Sequence, residues 1–149
     1  MLGRLARWLR ILGYDTAYER YISDEGLVER VLREGRWLLT RDRYLARRKV
    51  VRDRLTLLRS DDVDDQLRQL MSDQDLDLTL DEETPCRCAE CNLMLESISR
   101  ELVAAEVPPY VASEHTKFSK CSGCGRIYWP GTHVEHIRLQ LDHLRGSDE

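Results

Sequence analysis

Residues 36–62 read RWLLTRDRYLARRKVVRDRLTLLRSDD. Two apolar runs of strand length, Arg36–Thr40 and Leu55–Leu58, flank a polar stretch in which Asp42 opens a short helix through Ala46 to about Lys49. The first run is continuously apolar through Trp37-Leu38-Leu39, the pattern of a strand covered on both faces, and a helix between two such apolar strands makes a parallel pair. Upstream, Tyr14–Tyr18 reads as another short strand. Ser23 and Asp24 are N-cap residues for a helix with Leu27, Val31 and Leu32 on its inner face, ending near Gly35. Downstream, Ser60 and Asp61 cap a helix whose apolar side is Val63, Leu67, Leu70 and Met71. The chain opens on Leu2, Leu5, Leu9 and Leu12 at helical spacing, with Gly13 as the stop. Helix and strand alternate throughout, so the expected class is α/β with a mostly parallel sheet and flanking helices.

Four cysteines form two C-x-x-C knuckles, Cys88/Cys91 and Cys121/Cys124, separated by 29 residues. Two such knuckles close a tetrahedral thiolate site around one structural Zn²⁺. Cys86 is left over as a free thiol or neighbour. This spacing, with no secretory signal, indicates metal binding in a reducing, cytoplasmic setting and not disulfides. His133 and His136 read as surface or helix residues once four thiolates are available. Domain boundaries follow: an α/β domain over residues 1–72, an acidic linker over 73–85, and a zinc ribbon with a final helix over 86–149. That last part has few large apolar residues, so metal-derived folding energy suits it.

The formal charge of −4 hides an asymmetry. Residues 1–60 carry 15 Lys/Arg against 8 Asp/Glu, a net of +7, whereas residues 61–85 carry 1 against 10, a net of −9. A basic first half suits a polyanionic partner such as RNA. Residues 1–13 are Arg-rich without acids, as transit peptides and membrane-surface helices are. No cleavage-like segment follows, and the leucine spacing reads as a core-packed helix. No apolar run reaches membrane-spanning length. In the ribbon, Arg87, Lys117, Lys120, Arg126, Tyr128 and Trp129 either meet RNA or, for the two aromatics, fill a small core.

Ligands of open parallel sheets bind beyond the carboxyl ends of the strands. Asp24, Asp42 and Asp61 or Asp62 follow the three expected strands, and adjacent strands lie only about 4.8 Å apart. Carboxylates gathered there would hold Mg²⁺ or Mn²⁺, which activates water for phosphodiester cleavage. Arg41, Arg43 and Arg59 would bind the flanking phosphates. The same aspartates are also ordinary N-cap choices, so pattern alone leaves both roles open.

The strings MLGRLARWLRILGYD, SDEGL, LLTRD and RSDD, followed by RCAECN, VPPYV and CSGCGRIYWPGTH, resemble the Mut-seven C-terminal ribonuclease domain family. The resemblance runs in order over nearly the whole chain. It implies a PIN-like nuclease fold with a C-terminal zinc ribbon and a metal-dependent ribonuclease that hydrolyses RNA, with Asp24, Asp42 and an acid of the Asp61–Asp62 pair at the family's acidic positions. Two departures stand out. The family has a strand ending in Asp just before the Met-Leu that opens this chain, so the expectation here is a PIN-like sheet lacking its first strand. Impaired cleavage, or RNA binding with little turnover, and self-association through unpaired sheet edges go with that expectation. Gly26 stands where the family's stretch after Asp24 carries Glu, leaving Glu25 as the nearest acid.

Overall fold

A computed structural model of the chain describes residues 2–80 and 86–146. Their contacts gather into two compact units, Met1–Leu5 with Tyr18–Asp75, and Ala6–Ala17 with Leu76–Glu149. Helix α1 (Gly3–Ile11) gives its first residues to one unit and the rest to the other, with Leu5, Ala6 and Leu9 buried.

The first unit is a small parallel α/β layer. Helix α2 (Asp24–Glu34) starts because Ser23 Oγ accepts the Gly26 N–H at 3.0 Å, and Asp24 and Glu25 complement the positive end of its dipole. It stops at Gly35, in the left-handed conformation at φ 63°. Strand β1 (Leu38–Thr40) follows, then the single turn of α3 (Arg43–Ala46), a 3₁₀ turn at Arg52–Arg54, strand β2 (Leu55–Leu57) and helix α4 (Val63–Gln74). Strands β1 and β2 pair in parallel, Leu38 against Leu55 and Thr40 against Leu57, and the Leu58 N–H extends the ladder to the Thr40 carbonyl at 2.7 Å. Three-residue strands supply few hydrogen bonds, so burial holds the layer. Val31, Leu38, Leu45 and Val51 form its core with Leu27, Val28 and Leu55 against them. Each such side chain contributes about 1.5–3 kcal/mol when fully buried.

The expected strand at Tyr14–Tyr18 does not form. That stretch belongs largely to the second unit, where the Thr16 N–H goes to Asn92 Oδ1 at 2.9 Å and the Tyr14 hydroxyl to the Asp77 carbonyl at 3.0 Å. A side chain, not a neighbouring strand, takes its backbone donor. The parallel sheet therefore has two strands among the described residues.

In the second unit a three-stranded antiparallel sheet runs in the order β3 (Glu96–Ile98), β4 (Phe118–Lys120), β5 (Ile127–Tyr128). Two short helices, α5 (Arg100–Val103) and α6 (Pro109–Glu114), lie in the β3–β4 connection, and Pro109 opens α6 where its missing N–H costs nothing. Val103, Val107, Val111 and Phe118 form the core, with Ile98, Ala112, Ile127 and Trp129 packed on it. Helix α7 (Thr132–Gly146) buries Val134, Ile137, Leu141 and Leu144, one face at helical spacing. Of the acidic stretch 73–85 read as a linker, residues 81–85 lie outside the described residues, while Leu78 and Leu80 are buried. No helix among the described residues is long and apolar enough to cross a membrane.

Candidate functional site

The four knuckle cysteines come together in the second unit, with all four sulfurs within 4.8 Å of one another. Both knuckles are built alike. In the first, the Asn92 N–H bonds the Cys88 carbonyl and the Cys88 N–H bonds the Leu93 carbonyl, each at 2.9 Å. In the second, the Gly125 N–H bonds the Cys121 carbonyl at 2.9 Å and the Cys121 N–H bonds the Arg126 carbonyl at 3.0 Å. The turn closes through positive φ at the fourth residue after the first cysteine, 67° at Asn92 and 77° at Gly125. Asn and Gly are the residues that enter this region most readily. Gly123 meets a tighter limit, because a Cβ there would lie 2.8 Å from Leu93 Cδ1 and 3.5 and 3.6 Å from the sulfurs of Cys91 and Cys121.

This geometry fits a metal. Cys88 and Cys124 sulfurs lie 3.7 Å apart. That is far beyond the about 2.05 Å of a disulfide and near the about 3.8 Å edge of a tetrahedron with about 2.3 Å zinc–sulfur bonds. Burial pushes the Cys88 thiol up, but hydrogen bonds from the Tyr128 hydroxyl, from the backbone N–H groups of Cys91 and Glu90 and from Cys124 bring it down to about 7. Cys91 is pushed up to about 12 by its contact with Cys124, by burial and by Cys121. Thiols so placed oppose one another's ionisation, and a divalent cation between them relieves that repulsion.

Two braces were not legible as such in the sequence. Tyr128 donates its hydroxyl to Cys88 Sγ and accepts the Ala89 N–H, both at 3.2 Å. Buried Arg10 spans from the Thr16 carbonyl at 2.9 Å to the Ala89 carbonyl at 2.9 Å and the Glu90 carbonyl at 3.3 Å. Burial lowers its pKa, against the pull of Cys88 and Glu90. The one available signal for the knuckle turns was Asn or Gly at a fixed offset from each leading cysteine. Trp129 packs on Phe118 at 6.4 Å between ring centroids, so this aromatic serves the core, and Arg87 spends its donors on the Gly13 and Asn92 carbonyls at 3.1 and 2.9 Å. Cys86 is half-buried and outside the quartet, and His133 and His136 are exposed on α7.

The aspartates lie in the first unit. Asp42 caps α3, its Oδ1 accepting the N–H groups of Tyr44 at 2.9 Å and Leu45 at 3.2 Å. Asp62, rather than Ser60 or Asp61, caps α4, its Oδ1 accepting from Asp64 at 2.9 Å and Asp65 at 3.2 Å. Ser60 instead accepts the Asp62 N–H and donates to Asp65. Asp61 is exposed in the loop, and Asp24 is exposed in the first turn of α2, where Ser23 is the cap. Glu25 pairs with Arg48 at 3.1 Å, and its pKa is lowered by its own backbone hydrogen bond and by Arg48. Among the described residues the cysteine quartet is the group gathered within metal-ligating reach, and Asp24, Asp42, Asp61 and Asp62 are not drawn into one. What the parallel register does is send both strands out at one edge. Thr40 precedes Asp42 by two residues, and its strand partner Leu57 precedes Asp62 by five.

Beyond β2 an open depression of about 300 Å³ is lined by Arg59, Ser60, Asp65, Arg68, Gln69 and Ser72. Its floor is organised by glutamines on α4. Gln69 Nε2 donates to the Leu57 carbonyl at 2.9 Å, Gln69 Oε1 accepts the Arg59 N–H at 3.0 Å, and Gln66 Nε2 donates to the Ser60 carbonyl at 2.8 Å. Both amides are buried, so the loop from Leu57 to Ser60 is held as another strand would hold it. Arg59 stays largely exposed above, 3.7 Å from Asp73.

A parallel α/β unit carrying acids and arginines beyond its strand ends, in a chain that also gathers four cysteines in an arrangement that fits a metal ion, defines a small α/β protein with a four-cysteine cluster of the kind found in zinc ribbons. The chain matches the family described as Mut7-C RNAse domain over residues 1–141, nearly its whole length, and it belongs to that family. No curated protein and no solved structure matches it.

Proposed function

We propose that the protein is a divalent-metal-dependent ribonuclease with a PIN-like first unit, hydrolysing RNA phosphodiester bonds at the lip beyond β1 and β2. Family membership supports RNA as the substrate. The observation that carries the location is the parallel β1–β2 register, which brings the Asp42 and Asp61–Asp62 loops to the same edge of the sheet. Mg²⁺ is usually held by one or two carboxylates together with substrate phosphates, so a complete protein cage is not needed. Asp42 and Asp62 both cap through Oδ1, which leaves Oδ2 on each carboxylate for a hard cation. Asp24 and Asp61 add negative charge from exposed positions. When bound, Mg²⁺ or Mn²⁺ would lower the pKa of a coordinated water and offset charge on the phosphoryl oxygens. Arg41, Arg43 and Arg59 would bind phosphates on either side of the cut. Cys88, Cys91, Cys121 and Cys124 would hold Zn²⁺ as architecture in the second unit.

The test is cleavage of labelled single-stranded RNA with Mn²⁺ or Mg²⁺, comparing the chain with Asp42→Asn and Asp62→Asn. Losing several kcal/mol of charge stabilisation predicts a rate drop of at least about 100-fold for each. Equal rates in all three would sink the proposal. RNA bound without cleavage by every one of them supports a binding module in its place.

A further inference from the structure

We propose that the α3–3₁₀ segment, residues 41–54, is a docking surface for unpaired RNA, with Tyr44 as a base-stacking platform and Arg47, Lys49, Arg52 and Arg54 as phosphate contacts. The inference deepens the reading of RNA as substrate and would stand without turnover.

Three observations carry it. Residues 41–54 hold seven Lys/Arg against two Asp. An ordinary solvated face balances its charge, as α2 does. Arg30 there pairs with Glu34 at 2.7 Å and with Glu19 at 3.0 Å, Arg33 with Glu29 at 3.5 Å, and Arg36, just past the helix end, with Glu34 at 2.7 Å. Along 41–54 only Arg48 is so paired among the described residues, while Arg47, Lys49, Arg52 and Arg54 are exposed and keep their charge for another partner. Unbalanced cations on one face attract a polyanion.

The segment's backbone is also anchored. Leu45 and Val51 are 2% and 0% exposed within the first unit's core. Between and just beyond them the backbone runs through tight turns, Arg48 N–H to the Leu45 carbonyl at 3.1 Å, Val51 N–H to the Arg48 carbonyl at 3.2 Å and Arg54 N–H to the Val51 carbonyl at 2.9 Å. The backbone that carries the cations is therefore held in place, which reduces the part of the ordering cost of binding that falls on the main chain.

Tyr44 is the third element. The residue is 82% exposed in this cation-rich segment, although an aromatic ring left in water forgoes its burial energy. Its own N–H is anchored to Asp42 Oδ1, so the ring stands two residues from the carboxylate proposed to act at the scissile phosphate. An exposed aromatic among phosphate-binding cations is how proteins hold unpaired bases, and a duplex offers it no free base face.

The experiment is fluorescence anisotropy with the full chain, a short labelled single-stranded RNA and the same RNA as a duplex. No divalent cation is added, so nothing is cut. Tyr44→Ala should weaken single-strand binding roughly fivefold to a hundredfold, and Tyr44→Phe by no more than about twofold, because stacking needs the ring and not the hydroxyl. Arg52→Ala/Arg54→Ala should lower the slope of log affinity against log salt by about 1.4, the value for two phosphates on a single strand. Tight duplex binding, no RNA binding, or unchanged affinity and slope in these variants would each overturn the inference. Circular dichroism melts check that the variants are folded. If Tyr44→Ala loses binding while wild type shows no cleavage with Mn²⁺, the surface stands and the ribonuclease reading falls. Cleavage that proceeds with unchanged binding in Tyr44→Ala gives the reverse.

Discussion

Tyr128 shows how one hydroxyl can serve a metal site it does not ligate. It satisfies the Ala89 N–H and points its own proton at Cys88 Sγ, fixing the knuckle before a cation arrives. Partners of this kind typically change metal affinity by about 10–100-fold. Tyr128→Phe is therefore expected to weaken zinc retention by that order, read by competition with a chromophoric chelator, and an unchanged competition curve would show that the brace is idle. Glu34 supplies a residue-scale pH dependence. Hydrogen bonds from Arg36 and Arg30 hold its carboxyl down to about 2, against an ordinary value of 4.5. A depressed carboxylate pKa means that its stabilisation is complete above about 4.5 and is lost as pH falls from there through about 2. Melting temperatures of wild type should consequently converge on those of Glu34→Gln across that window. Curves that stay parallel from pH 5 to pH 2 would contradict this. Both arginines were visible in the sequence, but their convergence on one carboxylate was not.

Among the elements, the β2–α4 connection depends most on side chains taking the place of backbone. Gln69 bonds both the Leu57 carbonyl and the Arg59 N–H from a buried position. Each backbone group left unpaired in a buried site costs about 1–3 kcal/mol. Gln69→Leu should then lose roughly 2–4 kcal/mol in urea unfolding. It should also disturb Arg59 and the Asp61–Asp62 loop, so cleavage should fall beyond what the stability loss explains. Stability within about 0.5 kcal/mol of wild type would show that water replaces the clamp. Helix periodicity placed Leu67 and Leu70 inside in advance, and both are buried. Nothing in a helical repeat distinguished Gln66 and Gln69 from solvent-facing amides. Tyr14–Tyr18 failed as a strand for a related reason, since strand composition gives no information on which partner satisfies the N–H groups. Here Asn92, 76 residues away, takes that of Thr16.

At the scale of the whole chain, two units stabilised by different means should respond differently to metal removal. The second has the thiol quartet beside a small core and three short strands, whereas the first relies on apolar packing around β1 and β2. Because zinc binding supplies folding energy in small thiolate sites, chelation should abolish hydrogen-exchange protection in β3, β4 and β5 while β1 and β2 stay protected. Uniform loss would show that the units are not independent in this respect, and no loss would show that the second unit does not draw its folding energy from a metal. Much was written locally: the C-x-x-C spacing set the quartet, apolar runs set β1 and β2, and the capping residues set where α2 and α3 begin, because each depends on neighbours within a few positions. Whether Asp62 or Asp61 caps α4, and the pairing of residues 6–17 with 76–149, required the fold, as did the contrast between α2's neutralised arginines and the unpaired cations of 41–54. Those properties are set by distances between groups far apart in the chain, and such distances exist only once it has closed on itself.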